Sequence, residues 1–324
     1  MAKVMIIEKI HESGVKKLLE AGHEVIYASS PDPETVAKEI GDVEGVIVRT
    51  SIFNRKIIEN ASKLRVIARH GVGVDNIDVE AASQRGIWVV NTPTANASSV
   101  AEATIMFILA LAKRFPEVDK ATRQGNFKIR DEFAAIDLEG KTLGIIGLGR
   151  IGTLVAKKCQ VAFSMKVLAY DPYVDPKKAH EVGAALVSLE ELLKESDFVS
   201  IHAPLTKETE KLIGEEQLKM MKRTAYIINM ARGPLWDEQA VLKAVNEGWI
   251  SGAATDVFVE EPPKPDHPFF KCEKILLTPH MAALTKECVI RMAEEAAEGI
   301  LEVLSGKQPK YPVNYELLRK YGKI

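Results

Sequence analysis

Three short segments of the 324-residue chain carry the side chains best suited to acid–base and charge chemistry. They are Asn229-Met230-Ala231-Arg232-Gly233, Asp256-Val257-Phe258-Val259-Glu260-Glu261-Pro262-Pro263 and Thr278-Pro279-His280. Each follows or ends a short apolar run that reads as a strand. In open parallel sheets, ligands bind beyond the carboxyl ends of strands. A guanidinium, a carboxylate and an imidazole arriving there from three strands could converge on one small substrate. Taken singly the residues say less. Arg232 also suits a helix cap or surface ion pair, a His after Thr-Pro is commonly structural, and composition does not choose between Glu260 and Glu261.

A second constellation points to a dinucleotide. Gly147, Gly149 and Gly152 form GxGxxG in Gly144-Ile145-Ile146-Gly147-Leu148-Gly149-Arg150-Ile151-Gly152. An apolar run precedes them, and Val155, Ala156 and Cys159 follow at helical spacing. The first glycine permits a tight turn, the second lets backbone approach a pyrophosphate, and the third allows close helix–strand packing. The helix start then offers unpaired N–H groups to phosphate. Asp171 ends the next apolar run, about 20 residues on, where an acid binds a ribose 2′-OH and repels a 2′-phosphate. NAD is therefore expected rather than NADP. Another turn, Arg69-His70-Gly71-Val72-Gly73, lacks the third glycine. Its close-set glycines suit either a backbone cradle for a small anion or a plain strand-end turn.

These residues need strand ends to carry them. Apolar runs at Val4–Ile7, Glu24–Tyr27, Gly45–Val48, Arg65–Ala68 and Trp88–Val90 alternate with amphipathic stretches. A second series follows at Thr142–Ile146, Lys166–Tyr170, Phe198–His202, Tyr226–Asn229, Gly252–Val257 and Ile275–Leu277. Continuous apolar runs between helices predict parallel sheets covered on both faces. The fold class is thus α/β with two Rossmann- or flavodoxin-like domains. Long helices are predicted over Ser98–Phe115 and Lys286–Ser305, followed by a polar tail holding Pro309 and Pro312. Returning that tail to the first unit gives a discontinuous domain of residues 1–97 with 288–324, beside a domain of residues 98–287.

Composition removes several classes. Lys plus Arg number 43 against 45 Asp plus Glu, so no basic footprint for nucleic acid exists. The longest apolar stretch, about Ala103 to Ala112, is too short to span a bilayer. Three cysteines, Cys159, Cys272 and Cys288, without metal spacing suggest a reduced, cytoplasmic setting and no bound metal.

The ordered motifs resemble those of the D-isomer-specific 2-hydroxyacid dehydrogenase family, and most closely its phosphoglycerate-oxidising branch. They run through Val48-Arg49-Thr50, the Gly71 turn, Asn91-Thr92-Pro93, Ser99-Val100-Ala101-Glu102, the Gly147 motif and Thr278-Pro279-His280. The resemblance implies an NAD-dependent oxidoreductase acting on a 2-hydroxy or 2-keto acid in a cleft between two domains. It assigns catalysis to Arg232, Glu261 and His280, the acid directly before the first proline being the one selected. It places NAD against Gly147, Gly149, Arg150, Ile151, Gly152, Asp171, His202, Ala203, Pro204, Met230, Ala231, Asp256 and Ala282. Substrate falls to Arg49, Arg69, Val72 and Gly73 together with Arg232 and His280. It also implies a homodimer built on the Ser98–Phe115 helix, with Arg130 in a segment that crosses to the partner.

The sequence departs from that family's pattern at Ala282 and Leu284, at His70 beside the cradle, and at Trp236. Bulk after His280 is expected to narrow the pocket. The chain ends at Ile324, so serine-feedback domains are not expected within it. Glyoxylate or hydroxypyruvate reduction is the neighbouring activity, and an NAD-sensing corepressor-like protein is the alternative of another class.

Overall fold

Five short β-branched and apolar runs build the first sheet: β1 (Lys3–Ile6), β2 (Glu24–Tyr27), β3 (Gly45–Val48), β4 (Val66–Arg69) and β5 (Trp88–Val90). All pair in parallel in the order β2-β1-β3-β4-β5. Between them lie α1 (Glu12–Glu20), α2 (Pro33–Glu39), α3 (Arg55–Asn60) and α4 (Val79–Gln84). β3 is buried at every position, as a strand covered on both faces requires.

The computed structural model describes residues 1–132 and 134–324. They divide into two compact units, Met1–Asn96 with Ala283–Ile324, and Ala97–Ala282. The sequence places the second boundary at 287/288, whereas the division falls at 282/283. The reason lies in the packing: Ala283 joins Ala95, Cys288, Val289 and Met292 in one apolar cluster of the first unit.

The second unit opens with α5 (Ala97–Ala112) and α6 (Phe115–Arg123). The helix expected over Ser98–Phe115 is α5, which ends at Ala112, three residues short of that bound. Arg114 turns into the left-handed region at φ 49°, and Pro116 follows it in the first turn of α6. Proline cannot donate into a continuing helix and crowds the preceding backbone out of it. Then come β6 (Thr142–Ile146), α7 (Arg150–Phe163), β7 (Lys166–Tyr170), α8 (Pro176–Glu181), β8 (Ala184–Leu186) and α9 (Leu189–Glu195). β9 (Phe198–Ile201), α10 (Glu215–Met220), β10 (Tyr226–Asn229), α11 (Glu238–Asn246), β11 (Gly252–Thr255) and β12 (Ile275–Leu277) complete it. The sheet is parallel throughout, in the order β12-β11-β10-β9-β6-β7-β8. Its order reverses between β6 and β9, which puts the Gly147 turn at the switch point, where such sheets bind ligands.

α12 (Lys286–Leu304) and α13 (Tyr315–Lys320) return the chain to the first unit. Thr285 caps α12 by accepting the Cys288 N–H at 3.1 Å. Ala293, Ala296, Ala297 and Ile300 bury one face of α12 among Val4, Ile47, Val66 and Val90. The tail is locked by Asn314, which is 1% exposed. Its Oδ1 accepts the Val89 N–H at 2.9 Å, and its amide donates to Ile87 O and Ser83 Oγ, each at 2.9 Å. No helix among the described residues is long and apolar enough to cross a membrane.

Replacing Asn314 by Ala strands one buried N–H and one buried carbonyl. Urea unfolding is expected to show a loss of about 2–4 kcal/mol. A loss under about 0.5 kcal/mol would mean that water replaces the amide and that the tail is not anchored there.

Candidate active site

The acid, base and cation all lie in the second unit, on loops that leave β10, β11 and β12. β10 ends at Asn229, which is fully buried. Its Oδ1 accepts the Ala231 N–H at 3.1 Å and its Nδ2 donates to Arg232 O at 2.9 Å, so one amide shapes the loop that presents Arg232. Gly233 lets this loop lie against the next one. A Cβ there would fall 2.0 Å from Phe258 C and 2.1 Å from Phe258 O, closer than any side chain permits.

Beyond β11, Asp256 is 2% exposed. Its Oδ1 accepts Thr278 Oγ1 at 2.6 Å and Met281 N–H at 2.8 Å, while Oδ2 accepts Ala282 N–H at 2.9 Å. Its carbonyl takes the His280 N–H at 2.7 Å. Those bonds clamp a turn in which His280 sits at φ 50°. A left-handed non-glycine residue costs about 1–2 kcal/mol, and here the surrounding bonds hold it.

So held, His280 Nδ1 lies 2.6 Å from Glu261 Oε2. Glu261 Oε1 accepts the Phe258 N–H at 2.9 Å. Burial alone would raise this carboxyl. The His280 hydrogen bond, the Phe258 amide and the charges of His280 and Arg232 together outweigh it and hold Glu261 below the usual glutamate range. Arg232 Nη1 donates to Ala231 O at 2.7 Å. The structure thus brings together the three residues expected from the sequence.

The dinucleotide motif has the shape a pyrophosphate needs. Gly147 adopts φ 92°, and a Cβ on it would meet Ala203 N at 2.6 Å. A Cβ on Gly152 would meet Gly147 O at 2.2 Å, whereas one on Gly149 would meet nothing within 4 Å. So two glycines seat α7 against the turn, and the middle one faces open space. Gly149 caps α7 without any side-chain bond, which leaves the first N–H groups, at Arg150 and Ile151, for an anion. Asp171 follows β7, and its Oδ2 accepts the Leu148 N–H at 2.9 Å. Each of its oxygens retains a lone pair for a hydroxyl.

Ala203 and Met230 are buried and Pro204 is exposed on the loops after β9 and β10. His202 Nε2 lies 2.9 Å from Ser200 Oγ, and burial pushes the ring down to about 3, so it stays neutral. Trp236 is wholly buried against Phe269 at 6.1 Å between ring centroids, which makes it a core residue.

The first unit gathers Arg49, Arg69, Val72 and Gly73 at the C-terminal ends of β3 and β4. Its sheet reverses order between β1 and β3, again a switch point. Among the described residues, the N–H groups of Val72 and Gly73 make no hydrogen bond. Sequence reasoning missed Glu8. Its carboxylate takes the N–H groups of Arg49, Thr50 and Ser51 at 2.8, 2.7 and 2.8 Å, and so fixes the loop bearing Arg49. Burial opposes its ionisation, but these bonds prevail and its carboxyl titrates low. Arg49 Nη1 donates to Lys9 O at 2.9 Å. His70 is buried beside them, and its Nε2 has no partner among the described residues. Burial, then the charges of Arg49 and Arg69, push this ring down to about 4.

With fold and site in view, the comparisons place the chain. Residues 105–282 match the family described as D-isomer specific 2-hydroxyacid dehydrogenase, NAD binding domain. The chain belongs to the D-isomer-specific 2-hydroxyacid dehydrogenase family. It is 43% identical over 328 residues to the D-3-phosphoglycerate dehydrogenase of Methanocaldococcus jannaschii, covering 100% of this chain and 62% of that protein. The chain thus spans about three fifths of that relative's length. It is 39% identical over 323 residues to the glyoxylate reductase of Korarchaeum cryptofilum, covering 98% of this chain and 97% of that one. A crystal structure of a Thermus thermophilus protein superposes with a TM-score of 0.88 at 36% identity, covering 96% of this chain and 99% of that one. NAD is the cofactor of the second unit, and the spacing at Gly147, Gly149 and Gly152 fits it.

Because Glu261 titrates below its ordinary range, its ionised link to His280 is fully present above that range. The link is lost only as pH falls through the lowered value. Carbon-13 NMR of labelled glutamate is expected to show Glu261 still ionised when exposed glutamates are half protonated. Co-titration with the exposed glutamates would refute the pairing. Gly233→Ala is expected to abolish turnover, since the Arg232 and Phe258 loops must part; full activity in that variant would contradict the close approach.

Proposed function

We propose that this chain is an NAD-dependent D-2-hydroxyacid dehydrogenase whose preferred substrate is the phosphohydroxypyruvate/3-phosphoglycerate pair. The observation that carries the chemistry is the 2.6 Å His280–Glu261 pair with Arg232 close enough to act on the same carboxylate. Bound nicotinamide supplies or takes the two electrons of the reaction. Arg232 holds the substrate carboxylate and draws charge onto the 2-keto oxygen with its planar fork. His280 gives a proton to that oxygen during reduction and takes it back during oxidation, through the ring nitrogen that Glu261 leaves free. Glu261 keeps the ring oriented through the 2.6 Å contact with its Nδ1. Asp256 fixes the turn that aims the ring.

Phosphate preference rests on the first unit. Arg49 and Arg69 are proposed to bind the substrate's phosphate, and the N–H groups of Val72 and Gly73 its carboxylate. Two guanidiniums beside a neutral, buried His70 suit a dianion better than a small uncharged tail. Asp171 supports NAD over NADP by repelling a 2′-phosphate. Three free cysteines, two of them buried, support a reducing, cytoplasmic setting, and a homodimer is part of the same reading. A second reading, glyoxylate or hydroxypyruvate reduction, draws on the relative matched over nearly its whole length, which is a glyoxylate reductase.

NADH oxidation on phosphohydroxypyruvate, hydroxypyruvate and glyoxylate separates these. Phosphohydroxypyruvate is expected to give the highest kcat/KM, and Arg49→Met is expected to raise its KM with little change for glyoxylate. His280→Ala is expected to lower kcat about 10²–10⁴-fold on every substrate. Preference for glyoxylate, indifferent to Arg49, would move the assignment to the second reading. Stoichiometric NADH binding with no turnover on any acid would indicate a sensor.

A further inference from the structure

The first unit has a polar cavity at the end of its sheet away from the cradle. It measures about 610 Å³. Arg65 precedes β4 and Trp88 opens β5, whereas Arg69 and Gly71 lie at and beyond the other end of β4. At about 3.3 Å per residue, the two ends are on the order of 13 Å apart. Arg65, Arg85, Lys307 and Arg319 line the cavity with Trp88 and Tyr315 beside them; no Asp or Glu does, and Ile324, the last residue of the chain, also lines it. On a chain of formal net charge −2, that concentration of cations is a local exception.

Part of the charge has a structural use. Arg65 donates to Val303 O at 3.1 Å and Leu304 O at 3.3 Å, the last carbonyls of α12. Arg85 donates to Ile58 O and Ala61 O at the end of α3. Each helix end carries roughly half a negative charge, so together they offset about one of the four cations. Lys307 and Arg319 are different. Among the described residues, neither side chain has a hydrogen bond or ion pair, and both are exposed at the cavity. With the terminal carboxylate of Ile324 counted as well, about two positive charges are left facing one concave space that holds no Asp or Glu.

We propose that this cavity is a binding site for a small phosphorylated anion, separate from the substrate site. Arg319 and Lys307 are its mobile ligands, and Arg65 and Arg85 its fixed ones. Clustered guanidiniums with spare N–H donors match phosphate oxygens in charge and geometry. The volume falls within the range of small-molecule sites. The inference does not depend on which acid the active site uses.

Calorimetry on the NADH-saturated full chain, with inorganic pyrophosphate as the probe, tests it. NADH keeps the probe out of the Gly147 turn. One saturable site per chain is expected to remain when Arg49→Met has removed any binding at the cradle. Lys307→Ser/Arg319→Ser is expected to weaken it about tenfold or more, since each lost charge-assisted bond is worth about 1.4 kcal/mol or above. Both residues are exposed, and an unchanged thermal midpoint checks that the variant is folded. Arg49→Met, in the cradle, is expected to leave this binding intact. The proposal is overturned by the absence of saturable heat or by equal affinity in the double variant. Loss in Arg49→Met instead, or equally tight citrate binding at matched ionic strength, would also overturn it.

Discussion

The buried carboxylate of Asp256 is the constraint on which the active-site geometry depends. Two amides and one hydroxyl donate to it, and its own carbonyl takes the His280 N–H. Without those bonds, nothing local favours His280 at φ 50°, a conformation that side chains with a Cβ avoid. β11 is therefore the rigid element to which the imidazole is fastened. Glu261, a few residues beyond the same strand, then needs only the Phe258 amide to reach the ring. The His280–Glu261 pair, whose members are separated by 19 positions, is set by one strand end.

The other loops are governed by the same economy. Asn229 does for Arg232 what Asp256 does for His280: each is a buried polar side chain whose hydrogen bonds shape the loop that carries the other residue. Glu8 does so across the first sheet's switch point, where three successive N–H groups close on one carboxylate. Such fully bonded buried groups are costly to leave unpaired, which is why they can hold a loop in one shape. His280 and Glu261 are exposed and Arg232 is half-buried, whereas Asp256 and Asn229, which shape their loops, are buried.

How much of this the sequence displayed follows from range. Most strands stand where the apolar runs put them, because a covered parallel strand has a continuous signature. β8 escapes that reading: Ala184-Ala185-Leu186 is a three-residue edge strand with too little bulk to register. The break at Arg114 escapes it too, although Pro116 is the available signal. Arg232, Glu261, His280 and the glycine turn are legible because their spacing is local or their order resembles a family. Asp256 reads in the sequence as a cofactor contact, and the structure adds its clamp on the His280 turn. Glu8 is invisible there, since its partners lie 41 to 43 positions away and no short motif records that pairing. The cavity beside Arg319 depends on four segments meeting, which one-dimensional spacing does not reveal.

The central claim is that ionised Glu261 holds the His280 ring in the orientation that moves a proton. The most direct test is the pH dependence of kcat/KM for 2-keto acid reduction, in the natural protein and in Glu261→Gln. Rate is expected to fall on the acid side only as pH drops through the lowered Glu261 value in the natural protein, and the variant is expected to lack that fall. A fall at the same pH in both proteins, with only a uniform loss of rate, would contradict it.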